Sequence, residues 1–90
     1  MTELEIRIDE VLYYQWDPIG VSVYPNARGE YSSYVQIILK YVLKEDEKQI
    51  TEQLGKIESL SMGLKVNKEK NLMIAKRLLE FKDAVERGLR

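Results

Sequence analysis

The sequence predicts an all-α protein: a compact four-helix domain with one long irregular loop between its first and second helices. Apolar residues recur at helical spacing in four segments, candidate caps flank these segments, and both prolines fall between the first two. With 90 residues, of which 44% are hydrophobic, the chain is long enough for one domain with a buried core. We therefore predict a single domain over residues 1–90, with helices at about 3–15, 31–43, 46–61 and 67–88 and a loop at 16–30.

The first helix is predicted to begin after Thr2, because Thr2 and Glu5 have the spacing of a capping box. An apolar stripe at helical spacing follows, formed by Leu4, Ile8, Val11, Leu12 and Gln15. Apolar and charged residues also alternate over residues 4–8, which is typical of a half-buried strand, so both structures stay open there. Pro18 ends the segment, because the residue before a proline is pushed out of the helical conformation.

The loop at 16–30 contains both prolines and two of the five glycines. Asp17, Pro18 and Gly20 suit the first, second and fourth positions of a type I turn. Residues 21–24 are predicted to form a short extended stretch. A connection of this length is unusual in a small domain, and such loops tend to be functional or ordered by their own side chains.

The second helix is predicted to begin near Tyr31, with Ser33 and Gln36 as a further capping box. Its apolar stripe consists of Tyr34, Val35, Ile38, Leu39, Val42 and Leu43. Asp46 is predicted to cap the third helix, and Gly63 to end it. The buried face of the third helix is predicted from Ile50, Leu54 and Ile57, while Gly55 lowers its helix propensity by about 1 kcal/mol relative to alanine.

The last helix is predicted to begin at the N-cap Asn67 and to end at Gly88. Its inward stripe is formed by Ile74, Leu78, Phe81 and Val85, flanked by Leu72, Ala75 and Leu79. Charged residues occupy the other side of this helix.

The residue types that are missing exclude several classes of chemistry. The chain has no cysteine and no histidine, which excludes disulfides, a thiol nucleophile, structural zinc and histidine-based proton transfer. Its glycines are isolated, so there is no phosphate-binding glycine loop. We therefore predict no catalytic residues, no metal and no cofactor, and we expect that the protein is not an enzyme.

The charges are divided unevenly along the chain, although the formal net charge is only −1. Residues 1–64 hold 6 Lys and Arg against 11 Asp and Glu, whereas residues 65–90 hold 8 against 4. One interpretation is that a basic last helix lies across an acidic body. The other is a self-association or docking face of complementary sign. The low net charge argues against a nucleic-acid partner.

No apolar run approaches the ~20 residues that a membrane-spanning helix needs. The N-terminal residues are acidic where a signal peptide is basic. We therefore expect a soluble, cytoplasmic protein without a membrane partner.

Aromatic residues concentrate around the loop. Trp16 is the only tryptophan, and five of the six tyrosines lie near it: Tyr13, Tyr14, Tyr24, Tyr31 and Tyr34. Because tyrosine and tryptophan are enriched in binding hot spots, the candidate binding residues are Trp16, Asp17, Tyr24, Glu30, Tyr31 and Tyr34. The alternative is that Trp16 folds inward and anchors the loop, while Asp17 accepts backbone N–H groups. The two interpretations are compatible if Trp16 is internal and Tyr24 or Tyr31 faces solvent.

These residues resemble the pattern of a family of small bacterial proteins of uncharacterised function. The shared motifs are W-D-P-I-G-V at residues 16–21, Glu30-Tyr31, Ser33-Tyr34, Ile57-Glu58 and M-G-L at residues 62–64. The resemblance spans roughly residues 11–64 and implies a small, all-helical cytoplasmic protein with no established activity. Gly29 and Ser32 stand where the family pattern has acidic residues. Related signatures occur near bacterial toxin–immunity loci, which implies an immunity role by analogy only.

Three functions follow as hypotheses. The first is a non-enzymatic protein-interaction module, or a homo-oligomer, that uses the aromatic loop; an immunity-type inhibitor of a toxin is one version of it. The second is a small enzyme in which Asp17 and Glu30 hold a divalent cation. The third is nucleic-acid binding through the basic last helix, which would depend steeply on salt.

Overall fold

Four α-helices form a ring around one apolar core. The computed structural model describes residues 2–21 and 24–88, and its helices are α1 (Glu3–Val11), α2 (Val35–Leu43), α3 (Glu47–Lys56) and α4 (Lys68–Glu86). Both α1 and α3 pack against α2 and against α4. The described ranges contain no strand, which confirms the all-α prediction and makes the strand alternative for residues 4–8 wrong.

Three of the predicted helix N-caps are confirmed. The Thr2 hydroxyl accepts the Glu5 backbone N–H at 3.2 Å, and the Glu5 carboxylate accepts the Thr2 N–H at 2.9 Å. Asp46 accepts the backbone N–H of Gln49, and Asn67 accepts that of Lys70, each at 3.1 Å. Each bond satisfies a backbone donor that has no partner within its own helix.

The predicted start of the second helix is wrong. The chain makes a short 3₁₀ turn, Ser32–Tyr34, and α2 begins only at Val35 without a side-chain cap. Ser33 therefore forms no capping box with Gln36. The Gln36 side-chain amide instead donates to the Glu5 carboxylate and ties α2 to α1. Gln36 therefore pairs with Glu5, 31 positions away in the chain, and not with its predicted local partner Ser33.

Two helices end in a wider π-helical turn. Leu12–Trp16 continues α1, and Ile57–Ser61 continues α3. The Asp17 N–H donates to the Leu12 carbonyl at 3.0 Å, five residues back. This turn holds more residues than an α-turn and shifts the phase of the helix. Gln15, predicted in the inward stripe, is consequently exposed, and Trp16 takes the inward position.

The core is built from all four helices, both π-helical turns and Tyr31, which precedes the 3₁₀ turn. Its largest fully buried side chains are Trp16, Tyr13 and Tyr31. Aliphatic residues fill the remainder: Ile8, Val11, Leu12, Val35, Ile38, Val42, Ile50, Leu54, Ile57, Ile74, Ala75 and Leu78. Leu43 and Leu72, predicted in the stripes of α2 and α4, are 57% and 39% exposed instead.

Two glycines have clear conformational reasons. Gly63 has a φ of +65° directly after the second π-helical turn, which agrees with its predicted role in ending the segment. A Cβ built on Gly55 would lie 3.1 Å from a methyl carbon of Val66. Gly55 therefore lets the connection before α4 approach α3 closely, although glycine lowers the helix propensity.

Besides its apolar packing, the basic last helix forms one ion pair with the rest of the chain in the described ranges. Lys82 of α4 lies 3.9 Å from the Glu45 carboxylate and 2.8 Å from that of Glu86. The Glu86 hydrogen bond, followed by the Glu45 charge, raises the pKa of Lys82 above its usual value. None of the described helices combines the length and the apolar character needed to cross a bilayer.

Candidate binding face

The start of the loop is fixed by Asp17. Its Oδ1 atom accepts the Tyr31 hydroxyl at 2.7 Å and the backbone N–H of Val21 at 2.8 Å. The Tyr31 hydroxyl in turn accepts the backbone N–H of Ile19 at 3.2 Å. The Gly20 N–H donates to the Asp17 carbonyl at 3.2 Å, which closes the predicted turn. Asp17 therefore orders the loop, as the inward-anchoring alternative expected.

Tyr31 is predicted to make stability depend on pH in the alkaline range. Burial, and then the Asp17 hydrogen bond, raise the pKa of its phenol above the usual value. The unfolded chain releases this proton near pH ~10, whereas the folded protein retains it. The contribution of Tyr31 is therefore complete below about pH 10 and is lost as the pH rises further.

Tyr31→Phe is expected to flatten this alkaline loss of stability and to cost about 1–2 kcal/mol at neutral pH, because its hydrogen bonds disappear. Urea unfolding at several pH values around the phenol's usual pKa measures both effects. Tyr24→Phe is the control, since Tyr24 is exposed. Equal pH slopes for the wild type and Tyr31→Phe would contradict the prediction.

A second network holds the loop to α4. The Trp16 indole N–H donates to Asn71 Oδ1 at 2.9 Å, and the Asn71 amide donates to Glu58 Oε1 at 2.5 Å. The same Glu58 oxygen lies 3.4 Å from the backbone N of Asn67. Trp16, Asn71 and Glu58 are all buried. The network therefore joins both π-helical turns to the start of α4.

The far side of the loop is fixed by Tyr13. Its hydroxyl lies 2.7 Å from the carbonyl oxygen of Tyr24 and 3.1 Å from that of Val21. The Arg28 guanidinium lies 4.9 Å from the centre of the Tyr13 ring and 5.2 Å from that of Tyr14. It also forms an ion pair with Asp9 at 3.0 Å. Arg28 therefore clamps the end of the loop to α1.

Exposed residues surround the buried side chain of Tyr13. Tyr14 is 59% exposed and Tyr24 is 62% exposed. Arg28 lies against the ring of Tyr14, and its side chain is 38% exposed. We call these three residues the tyrosine face. A shallow cleft of about 180 Å³ adjoins Tyr14, lined also by Arg7, Glu10 and Phe81.

The six predicted binding residues divide between the core and the surface. Trp16 and Tyr31 are fully buried, which confirms the alternative that Trp16 folds inward. Of the two tyrosines of which one was expected to face solvent, Tyr24 does and Tyr31 does not. Asp17 and Tyr34 are half-buried. Tyr24 and Glu30 are exposed. Trp16, Asp17 and Tyr31 share one cluster, because the rings of Trp16 and Tyr31 lie 5.5 Å apart and Tyr31 donates to Asp17.

Several residues of these networks were not predicted as site residues, among them Asn71, Tyr14 and Arg28. Asn71 follows the inward phase of α4, three residues before Ile74, so a polar residue in an apolar stripe was the available signal. Tyr14 and Arg28 had no comparable signal, because their contact joins residues 14 positions apart in the chain. Within residues 2–21 and 24–88, no three acidic side chains converge as a metal site would require.

The fold and the networks define the class: a small all-α protein whose single long loop is fixed by buried side chains and carries a tyrosine-rich surface. Comparison with protein-family models, with curated proteins and with solved structures gave no match. The resemblance of the W-D-P-I-G-V segment to a family of small bacterial proteins therefore stays a prediction.

Proposed function

We propose that this protein is a non-enzymatic protein-interaction module that binds its partner through the tyrosine face. The observation that carries the proposal is the contrast between the anchored backbone and the exposed rings. Tyr24 points a largely exposed ring to solvent while its carbonyl is held by the Tyr13 hydroxyl at 2.7 Å. Tyr14 is equally accessible on the π-helical turn that ends in buried Trp16.

Anchoring matters because binding costs conformational entropy. A mobile loop would have to be ordered by its partner. The described parts of this loop, residues 16–21 and 24–30, are already held by contacts of Asp17, Tyr13 and Trp16, so that freedom was lost on folding. Tyrosine and arginine are also the residue types that dominate measured binding hot spots. The face therefore combines hot-spot chemistry with pre-organisation.

The surroundings of Tyr14 indicate the kind of partner. The cleft beside its ring contains Phe81, and Arg7 and Glu10 next to it already form an ion pair at 2.9 Å. A partner that binds here therefore contacts aromatic side chains. The charges at the edge of the cleft neutralise each other, so they create no strong positive or negative potential. This chemistry suits a protein surface with an apolar or aromatic protrusion. An immunity-type inhibitor is one form of such a module.

The test introduces a photo-crosslinking amino acid at position 24 and, as a matched control, at position 43. Leu43 is 57% exposed on α2 and is not part of the tyrosine face. We expect a specific adduct from position 24 in cells and none of the same mass from position 43. Mass spectrometry of the adduct then identifies the partner.

Substitution measures the contribution of the face to affinity. Tyr14→Ala and Tyr24→Ala are each expected to weaken binding of that partner by about 2 kcal/mol, or roughly 30-fold. Leu43→Ala is expected to leave binding unchanged, and all three variants should melt close to the wild type because the residues are exposed. Full affinity in the Tyr14→Ala/Tyr24→Ala double variant would contradict the proposal.

A further inference from the structure

We infer that α3 is a self-association surface, and that the groove between α3 and α4 receives α3 of a second copy of this chain in an antiparallel, two-fold arrangement. This inference goes beyond the tyrosine face and does not depend on it. The groove has a volume of about 650 Å³ and a mainly apolar lining. Gly55, Val66 and Leu72 contribute to it.

The shape of the groove favours a helix over a small molecule. Small-molecule sites enclose most of the ligand surface, whereas this groove is open from Glu47 at the start of α3 to Ser59 in the second π-helical turn. Thr51 lies on its α3 side, and Ser59 follows in the second π-helical turn. Short side chains there allow the backbone of a second helix to approach closely.

Charge complementarity identifies the occupant as a second copy. Glu52 and Lys56 are exposed on α3 and line the groove. In a two-fold interface each contact occurs twice with the roles exchanged. An axis that crosses antiparallel α3 helices midway between these residues places Glu52 of each copy beside Lys56 of the other. The two copies of α3 then form two contacts between opposite charges, each between Glu52 of one copy and Lys56 of the other.

These two charges are available for such contacts. Among the residues that the structure describes, neither Glu52 nor Lys56 lies within 4.0 Å of an oppositely charged group. On α4, by contrast, Arg77 pairs with Glu80 and Arg87 pairs with Asp83. These charges are therefore matched within the chain, while those of Glu52 and Lys56 are not.

The same axis covers the most exposed large apolar residue of the described chain. Leu60 follows α3 in the second π-helical turn and is 81% exposed. Antiparallel packing brings Leu60 towards the opposite end of α3 in the second copy, where Lys48 lines the groove. The aliphatic part of a lysine side chain can cover such a leucine while its ammonium group stays in water. The net charge of −1 gives two copies little reason to repel each other.

Sedimentation equilibrium and light scattering on the full chain test the inference. A single helix pair is a small interface, so we expect a dimer of about twice the 10.6 kDa chain mass that dissociates on dilution from about 1 mM. Glu52→Lys and Lys56→Glu should each weaken dimerisation roughly tenfold or more, because each reversal creates two like-charged contacts. The Glu52→Lys/Lys56→Glu double variant should restore it.

The control is Lys40→Glu on α2, which changes the net charge as much as Lys56→Glu does at another exposed position. It should dimerise like the wild type. Rescue by the double variant distinguishes a contact between copies from a change in stability, which circular dichroism measures separately. A wild type that stays monomeric up to about 1 mM would overturn the inference and leave the groove to another protein. A dimer that tolerates both single reversals would overturn it as well.

Discussion

Replacing Trp16 with alanine is expected to lower the free energy of unfolding by about 3–5 kcal/mol, the usual cost of removing a buried tryptophan. The side chain is fully buried and lies 5.5 Å from the ring of Tyr31. Its removal leaves a cavity between the first π-helical turn and α4 and takes the donor away from Asn71. Urea unfolding followed by far-ultraviolet circular dichroism measures the change.

Trp16→Phe separates packing from hydrogen bonding, because phenylalanine keeps an aromatic ring and lacks the indole N–H. We expect it to lie between the wild type and Trp16→Ala. Tyr24→Ala is the control for removal of an exposed aromatic ring near the same loop, with an expected change within about 0.5 kcal/mol. An unfolding midpoint unchanged in Trp16→Ala would show that the tryptophan is not an anchor of the core.

Asn71→Ala is expected to cost about 2–4 kcal/mol, because it removes the central member of a buried network. Asn71 accepts from Trp16 at 2.9 Å and donates to Glu58 at 2.5 Å. No ion pair within 4.0 Å reaches the buried Glu58 carboxylate from any described residue, so it depends on N–H donors. Without the amide, both Trp16 and Glu58 lose a partner in a place that excludes water.

A double-mutant cycle isolates the indole–amide bond. Asn71→Ala is made in the wild type and in Trp16→Phe, and the free energy of unfolding is measured for all four proteins. We expect Asn71→Ala to cost about 0.5–3 kcal/mol less in the Trp16→Phe background, since the indole donor is already missing. Strict additivity would mean that the bond contributes nothing and that the loss comes from packing alone.

The sequence allowed prediction of the parts of the fold that depend on neighbours a few residues apart. The caps at Thr2, Asp46 and Asn67 each satisfy a backbone N–H three residues later, so the motif contains the whole interaction. Ser33 has the same local pattern, but Gln36 binds Glu5, 31 positions away in the chain. The local motif therefore does not determine where α2 begins.

The phase of the first helix could not be predicted from its apolar pattern. A regular α-helix places Gln15 in the stripe of Ile8 and Val11, whereas the π-helical turn buries Trp16 instead. The hydrogen bond that stabilises Trp16 in this inward position is made to Asn71, 55 residues away in the chain. Because a local pattern contains no information about such a partner, the wider turn became apparent only in the folded chain.

The sequence showed that aromatic residues concentrate near the loop, but it did not show which of them are buried and which are exposed. Tyr24 and Tyr31 both lie near the loop, yet Tyr31 is buried with its hydroxyl on Asp17 while Tyr24 is exposed. The difference follows from the turn at residues 17–20, which places a carboxylate within reach of Tyr31. The predicted extended stretch at 21–24 includes Ser22 and Val23, which lie outside the described residues.

The burial of a single indole also has a spectroscopic consequence. The chain has one tryptophan, and two buried tyrosine rings accompany it in the core. Its fluorescence should therefore be blue-shifted, resistant to acrylamide quenching and sensitised by energy transfer from tyrosine. Since the indole is fully buried, its emission would follow the integrity of the core.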